Sequence, residues 1–343
     1  MNKAHVTLKD IARVAGVSTA TASLALSGDS RVNIKTKKSV EEVAKRLKYV
    51  PNEIGRSLRA RKAETIALIF PNTPHNAFSH PYFVQLLEGI TEVLVENSFH
   101  LLLSTSPTEL DESAAYDKIL RNRRADGIIL WPASIKDRNI LKIIESGFPL
   151  VYLGKWSHDD VMTVERDEFG GAYMVTSHLL QLGRKRIVHI TGPMEYQVSI
   201  NRLEGYKHAL QDNKILYDPS LVIEKDFFMQ AGTDAVMELR DRKVDFDGIF
   251  AANDLMAIGA MRGLQKLGKS VPKDVSIVGC DNIEMANLTN PTLTTIDQSI
   301  RQVGKIAAEK MIAFLGNGQG EENQTIVPAQ LIVRESCGAS EES

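Results

Sequence analysis

From Thr65 onward, short apolar runs alternate with amphipathic stretches, and no other feature restricts the fold of this chain so tightly. TIALIF, SFHLLLS, DGIILW and PLVYL read as strands, while the segments near 82–97, 110–122 and 137–146 carry helical periodicity. Such alternation builds parallel sheets, because two parallel neighbours need a crossover, usually a helix, to return the chain to the same end. A second series follows in KRIVHIT, LVIE, DGIFAA and VSIVGC. Asp126-Gly127-Ile128-Ile129 and Asp247-Gly248-Ile249-Phe250 hold similar places in the two series, which predicts two doubly wound lobes of like design. Ligands of such folds bind beyond the carboxyl ends of the strands, and two facing lobes enclose them. The segments reaching that edge are 71–83, Trp131, 154–156, 192–202, Asn253-Asp254 and Asp281-Asn282.

The first sixty-odd residues are of a different kind. Residues 1–62 hold fourteen lysines and arginines against five acids, so this head carries +9 while the whole chain carries -2 and the remainder -11. A basic head on an acidic body suits a polyanion at one end only, although a solvated basic face has the same composition. The N-terminal residues lack the apolar run of a signal peptide and no apolar run spans a bilayer, which together with two unpatterned cysteines, Cys280 and Cys337, predicts a reducing cytoplasm and no membrane.

Within the head, Thr7 and Asp10 form a capping-box pattern, and Leu8, Ile11, Ala12 and Ala15 recur at helical spacing. Gly16 supplies a turn, Ser18 caps a second helix to about Leu26, Gly28 ends it, and Asn33 caps a third with Val40, Val43, Ala44 and Leu47 on one face. Three short helices with a glycine turn make either a helix-turn-helix or a small protein-binding module. In the former, Thr19, Ala20, Ser23 and Leu24 face bases, suited to thymine methyls and hydroxyl hydrogen bonds. Ser18, Thr21 and nearby Lys and Arg meet phosphates, and the caps Thr7 and Asn33 are further DNA-binding candidates.

The run TLKDIARVAGVSTATASLALSG, followed by YVPNEIGRSL, resembles the head of the lactose-repressor (LacI/GalR) family of transcription regulators. Ala22 and Leu24 stand where the family usually has valine and arginine, so an arginine that would read guanine is replaced. By the resemblance, residues 51–60 form a hinge helix with Asn52 as cap, Arg56 beside the DNA and Leu58 wedging a minor-groove base step. Gly55 weakens that helix by about 1 kcal/mol, so it is expected to order only on DNA; a plain linker is the alternative. The resemblance continues through HPYFVQLLEGI, ADGIIL, VERDEFGGAYMVTSHLLQLGRKRI, RLEGYKHAL, FDGIFAANDLMAIGAM and VPKDVSIVGCDN, covering about residues 5–335.

The implied fold is an all-α helix-turn-helix head on an α/β, periplasmic-binding-protein-like core of two doubly wound parallel-sheet lobes. The implied divisions are 1–50 for the head, 51–64 for hinge helix and linker, 65–165 with 293–320 for the first lobe, and 166–292 with 321–338 for the second. LTTIDQSIRQVGKIAAEKMIAFL is expected to return to the first lobe, IVPAQLIVRES to close the second as one strand, and three short hinges to join the lobes. With no leucine heptads at the C-terminus, a dimer is expected rather than a coiled-coil tetramer.

The same resemblance makes Arg202 and Asp281 effector contacts, the first as a forked donor and the second as a bidentate acceptor. On the residues alone, Arg202 is equally a surface partner of Glu195 or Glu204, and Asp281 equally a helix cap. Tyr82, Phe83, Trp156, Tyr196 and Phe227 are candidate stacking walls or plain core, and Asn253 is a further strand-end candidate. Gly154 and Lys155 stand where nucleobase-binding relatives can have an aspartate, which favours a sugar or sugar phosphate over a purine.

Gly263 to Ser270 matches a phosphate loop by letter but ends a helix and runs into Val271-Pro272, whereas a real one opens a helix after a strand. No zinc or nucleophile-elbow pattern occurs, so neither metal, cofactor nor catalysis is expected. The resulting expectation is an effector-controlled repressor, homodimeric on an operator of double-stranded DNA. An activator or corepressor-dependent protein, a transport-type solute-binding protein and an enzyme with a fused head are the alternatives.

Overall fold

The computed structural model describes residues 6–49, 62–70, 80–105, 119–122, 124–131, 135, 139–156, 161–318 and 323–339. The chain divides into two units, Met1–Ala63 and Glu64–Ser343. In the first, Asp10 accepts hydrogen bonds from both the N–H (3.1 Å) and the hydroxyl (2.7 Å) of Thr7, starting α1 (Leu8–Ala15). Gly16 stops it at φ 69°, a left-handed conformation that a Cβ would strain. Ser18 Oγ accepts from the Thr21 N–H at 3.0 Å to cap α2 (Thr19–Leu26), and Asn33 Oδ1 accepts from the Lys35 N–H at 2.9 Å to cap α3 (Ile34–Arg46). Ile11, Ala12, Ala22, Ala25, Val40, Val43 and Ala44 close the core between them. The small alanines of α2 let its backbone sit near its neighbours.

The second unit runs β1 (Thr65–Phe70), α4 (Pro81–Glu96), β2 (His100–Thr105), β3 (Gly127–Leu130), α5 (Asn139–Glu145), β4 (Leu150–Tyr152), β5 (Met162–Arg166), α6 (Glu168–Gln181), β6 (Ile187–Thr191) and α7 (Gln197–Asp212). It continues with β7 (Val222–Glu224), α8 (Met229–Asp241), β8 (Gly248–Ala251), α9 (Asp254–Lys266), β9 (Ser276–Cys280), β10 (Thr294–Asp297), α10 (Ile300–Asn317), β11 (Gln324–Val327) and β12 (Gln330–Ile332). One sheet has the order β11-β5-β4-β3-β1-β2, all parallel. The other has the order β12-β10-β9-β8-β6-β7, parallel except for the antiparallel edge strand β12. Each sheet is covered on both faces, which is why its central strands are apolar without alternation. Ile66, Leu68 and Phe70 of β1 meet the cluster that includes α4 and α10, and Ala67 and Ile69 meet the opposite one.

The chain passes between the lobes three times, between β5 and α6, between β10 and α10, and between β11 and β12. The expected division 65–165 plus 293–320 and 166–292 plus 321–338 is corrected at both late segments. β10 belongs to the second sheet, in register with β9 from Thr294 opposite Val278, and only α10 returns to the first lobe. The reason is polar: Thr294 and Thr295 are fully buried, and Thr295 Oγ1 donates to Asp254 Oδ1 at 2.6 Å within the second lobe. IVPAQLIV is two strands rather than one, because Pro328 has no N–H to continue a ladder; β11 adds to the first sheet and β12 to the second. β5, half polar in sequence, is a strand that periodicity did not reveal.

Candidate functional site

The lobes enclose a cavity of about 210 Å³. Its first-lobe wall is aromatic. Tyr82 and Phe83 stack with centroids 4.3 Å apart at the start of α4, and Trp131, just past β3, lies 5.5 and 5.1 Å from them. Phe83 also packs edge-on against Phe70 at 4.7 Å and is part of the core, so it fills both of the roles sequence left open. Trp156 is corrected: it meets Tyr152 edge-on at 6.0 Å among the apolar residues under the other sheet face, behind the cavity rim that Tyr152 forms.

On the second-lobe wall, Tyr196 and Phe227 have centroids 6.2 Å apart. The Phe227 ring lies directly over Gly192, where any Cβ would collide with it. Asn253 is only 2% exposed and both ends of its amide are engaged. Oδ1 accepts from the Met256 N–H at 2.8 Å to cap α9, and Nδ2 donates to the Phe227 carbonyl at 3.0 Å. Its part in the site is therefore to hold Phe227.

Arg202 and Asp281 meet on the cleft floor. Arg202 is buried, donating from Nε to Glu168 Oε2 at 2.7 Å and from Nη1 to the Ala252 carbonyl, with Nη2 4.0 Å from Asp281 Oδ1. Pairing with Glu195 or Glu204 does not occur; Glu204 is taken by Lys207 at 2.9 Å. Burial opposes the charge of Arg202, yet Cys280, Glu168 and Asp281 around it hold its pKa above the usual range. Asp281 directly follows β9 at φ 110°, a conformation side chains seldom adopt, and it caps no helix, since the next turn starts after Ile283. Its burial pushes the carboxyl up to about 7 against the pull of Arg202 and Arg166.

Among the described residues, hydrogen bonds from His80 and Ile135 join the lobes at the mouth of the cleft. His80 Nε2 lies 2.8 Å from the Phe227 carbonyl, and because a carbonyl only accepts, that nitrogen carries the proton. Burial lowers the His80 pKa, which keeps the ring neutral. The Ile135 N–H donates to the Glu195 carbonyl at 2.9 Å. The lobes are closed on one another.

In the head, Thr19 and Ala20 are exposed, Ser23 and Leu24 are half-buried, and the buried Ala22 and Ala25 lie on the opposite side of α2. Ser18 Oγ and Thr21 Oγ1 are 2.8 Å apart, Thr7 is bound to Asp10 and Asn33 to its own helix, so these candidates set the frame of the exposed face. Asn52, Arg56, Leu58 and the hinge helix expected over 51–60 lie outside the described residues.

Residues 7–52 match the bacterial regulatory proteins of the lacI family, and residues 176–337 match the periplasmic binding protein-like domain. The HTH-type transcriptional regulator CelR of Thermobifida fusca is 32% identical over 333 residues, 96% of this chain and 98% of that protein. The chain belongs to the lacI family of bacterial regulatory proteins. Another relative is the CytR repressor of Escherichia coli, 30% identical over 97% of this chain and 96% of its own. Among solved structures, a CelR–cellobiose complex superposes with a TM-score of 0.76 at 31% identity, covering 97% of this chain and all of that one. The lac repressor dimer bound to operator and the anti-inducer ONPF superposes at 0.85 with 25% identity, over 98% of this chain and all of that one.

As a lacI-family member the protein is a DNA-binding transcriptional regulator and not an enzyme. No described helix is long and apolar enough to cross a membrane. Among the residues of this regulator's cleft, sequence reasoning did not choose His80, Arg166 or Glu168 as contacts, and it marked Trp131 only as a strand end. Trp131 and His80 lay in strand-end segments marked as cleft edges, and Arg166 and Glu168 flank a crossing that needed β5 to be recognised.

Proposed function

We propose that this regulator acts in the cytoplasm as a homodimeric repressor whose two heads take the half-sites of a pseudo-palindromic operator, and that a saccharide in the cleft between its lobes changes that grip. The observation that carries the effector half is the cavity itself, an aromatic wall of Tyr82, Phe83 and Trp131 facing the Arg202–Asp281 floor. Flat apolar faces pack against sugar C–H surfaces while carboxylate and guanidinium groups take hydroxyls. The likeness to the cellobiose complex of CelR supports a carbohydrate, and the likeness to the lac repressor dimer supports two copies on one operator.

On the DNA side, Thr19, Ala20, Ser23 and Leu24 present small groups to the major groove. Leu58 wedges the operator centre, with Asn52 and Arg56 beside it. Ligand-driven movement of the lobes about their three crossings changes how the heads are presented. Isothermal titration of the full chain with cellobiose, ribose and adenine tests the effector half. Saturable binding of a sugar and none of adenine is expected, and binding of adenine alone refutes it. Replacing Leu58 with Ala should weaken operator binding while leaving sugar affinity intact; unchanged operator affinity removes the wedge.

A further inference from the structure

One carboxylate sits where the two guanidinium groups of the cleft converge. Glu168, the first residue of α6, places Oε2 2.7 Å from Arg202 Nε and Oε1 2.8 Å from Arg166 Nη2. Their side chains are 5%, 4% and 10% exposed. Gln298, at the second crossing, donates to Oε2 at 3.3 Å, and Arg166 Cζ rests 5.1 Å from the centroid of the Trp131 ring. Two arginines on one oxyanion is how proteins grip a phosphate or carboxylate from outside, since their forked donors match its oxygens. Here the chain supplies the oxyanion itself.

The other charges do not make room for an anion. Lys155, the third cation lining the cavity, acts on Glu165, and five carboxylates line it against three cations. An incoming phosphate ester would meet Glu168 and Asp281 and would shed its hydration beside two arginines whose charge Glu168 already offsets. A ligand hydroxyl fares differently, because the buried Oε1 of Glu168, though ion-paired with Arg166, accepts no well-directed hydrogen bond from any described residue.

We propose that Glu168 is the residue that sets ligand class: as a built-in counter-ion to Arg166 and Arg202, it admits uncharged polyhydroxylated molecules and excludes their phosphorylated or carboxylated forms. The inference rests on the saccharide reading of the cleft. It is tested by isothermal titration of the full chain at constant ionic strength with inorganic phosphate, glucose 6-phosphate and glucuronate, alongside cellobiose and ribose. The wild-type protein should bind none of the three anions. Glu168→Gln should gain about tenfold or more in affinity for them, the worth of one charge-assisted hydrogen bond, and quench Trp131 emission on binding. Adding Arg166→Gln should reverse the gain, and Glu168→Asp, which keeps the charge, should still exclude anions. A folded Glu168→Gln protein with no gain, or a wild-type protein that binds phosphate saturably, overturns the proposal, and the wild-type arm decides even if the variants do not fold. Failure of every neutral sugar on the wild type refutes the saccharide reading instead, leaving the anion arms to judge Glu168.

Discussion

Replacing Asp281 with Asn should stabilise the effector-binding unit at high pH and much less at low pH. The carboxyl titrates near 3.8 when free and is pushed up to about 7 in the fold by burial, so between those values the native state holds a proton that the unfolded chain has released. Stability attributable to this group therefore falls as pH rises from about 4 to about 7 and is level above that. At 1.36 kcal/mol per pKa unit, the ionisation costs the fold about 2 kcal/mol at pH 5 and about 4 kcal/mol at pH 8. The benefit of Asp281→Asn should thus grow by about 2.7 kcal/mol between the two, 1.36 kcal/mol for each unit from pH 5 to about 7.

The difference between proteins is the quantity to measure, because buried His189, held down at about 3 chiefly by burial, gives the opposite slope. Its depressed pKa contributes stability present above its unfolded value and lost as pH falls below about 6.5, and it cancels between wild type and variant. Both tryptophans, Trp131 and Trp156, lie in the second unit, so their emission during urea unfolding follows that unit and not the head. A benefit that stays constant from pH 5 to pH 8 would falsify the placement of a strained, buried Asp281 beside Arg202.

Gly259→Ala should lower the melting temperature of the same unit, by about 3 kcal/mol in stability, because the added Cβ runs into the Met229 carbonyl where α8 and α9 cross, and backbone cannot move aside. An unchanged calorimetric midpoint would mean the two helices have room to part. Ser18→Ala removes the cap of α2 at a cost of about 1 kcal/mol, which hydrogen exchange should register as faster exchange of its first-turn amides together with weaker operator binding. His80→Ala removes one of the hydrogen bonds across the cleft and should weaken sugar binding about fivefold, the worth of a net hydrogen bond, leaving operator affinity without sugar unaltered. Equal sugar affinity would show that His80 does not clasp the lobes.

Much of this arrangement is legible in the residues before any coordinates. Apolar runs such as TIALIF locate central strands because both faces of each sheet are covered, and Thr7, Ser18 and Asn33 mark helix starts because each supplies an oxygen to orphan donors or a partner to a first-turn carboxylate. The failures have a common cause. β5 and β10 carry threonines and charged residues whose polarity is satisfied only by contacts distant in sequence, such as Thr295 with Asp254, so periodicity does not register them as strands of a particular lobe. Missing β5 hid Arg166 and Glu168, whose importance comes from converging with Arg202 across thirty-odd residues. Trp156 failed in the opposite sense, since a strand-end aromatic can turn behind the sheet as readily as into the cleft.

The three passages between lobes also impose an order on synthesis. Neither sheet is complete until its last contribution, β11 for one and β12 for the other, and both follow every other strand and α-helix described in the sensor. A nascent protein leaving the ribosome can assemble its N-terminal helices early, whereas both halves of the sensor wait with an open edge until β11 and β12 have emerged. Deleting residues after 323 should therefore spoil both halves together, leaving the DNA-reading helices as the part able to form alone.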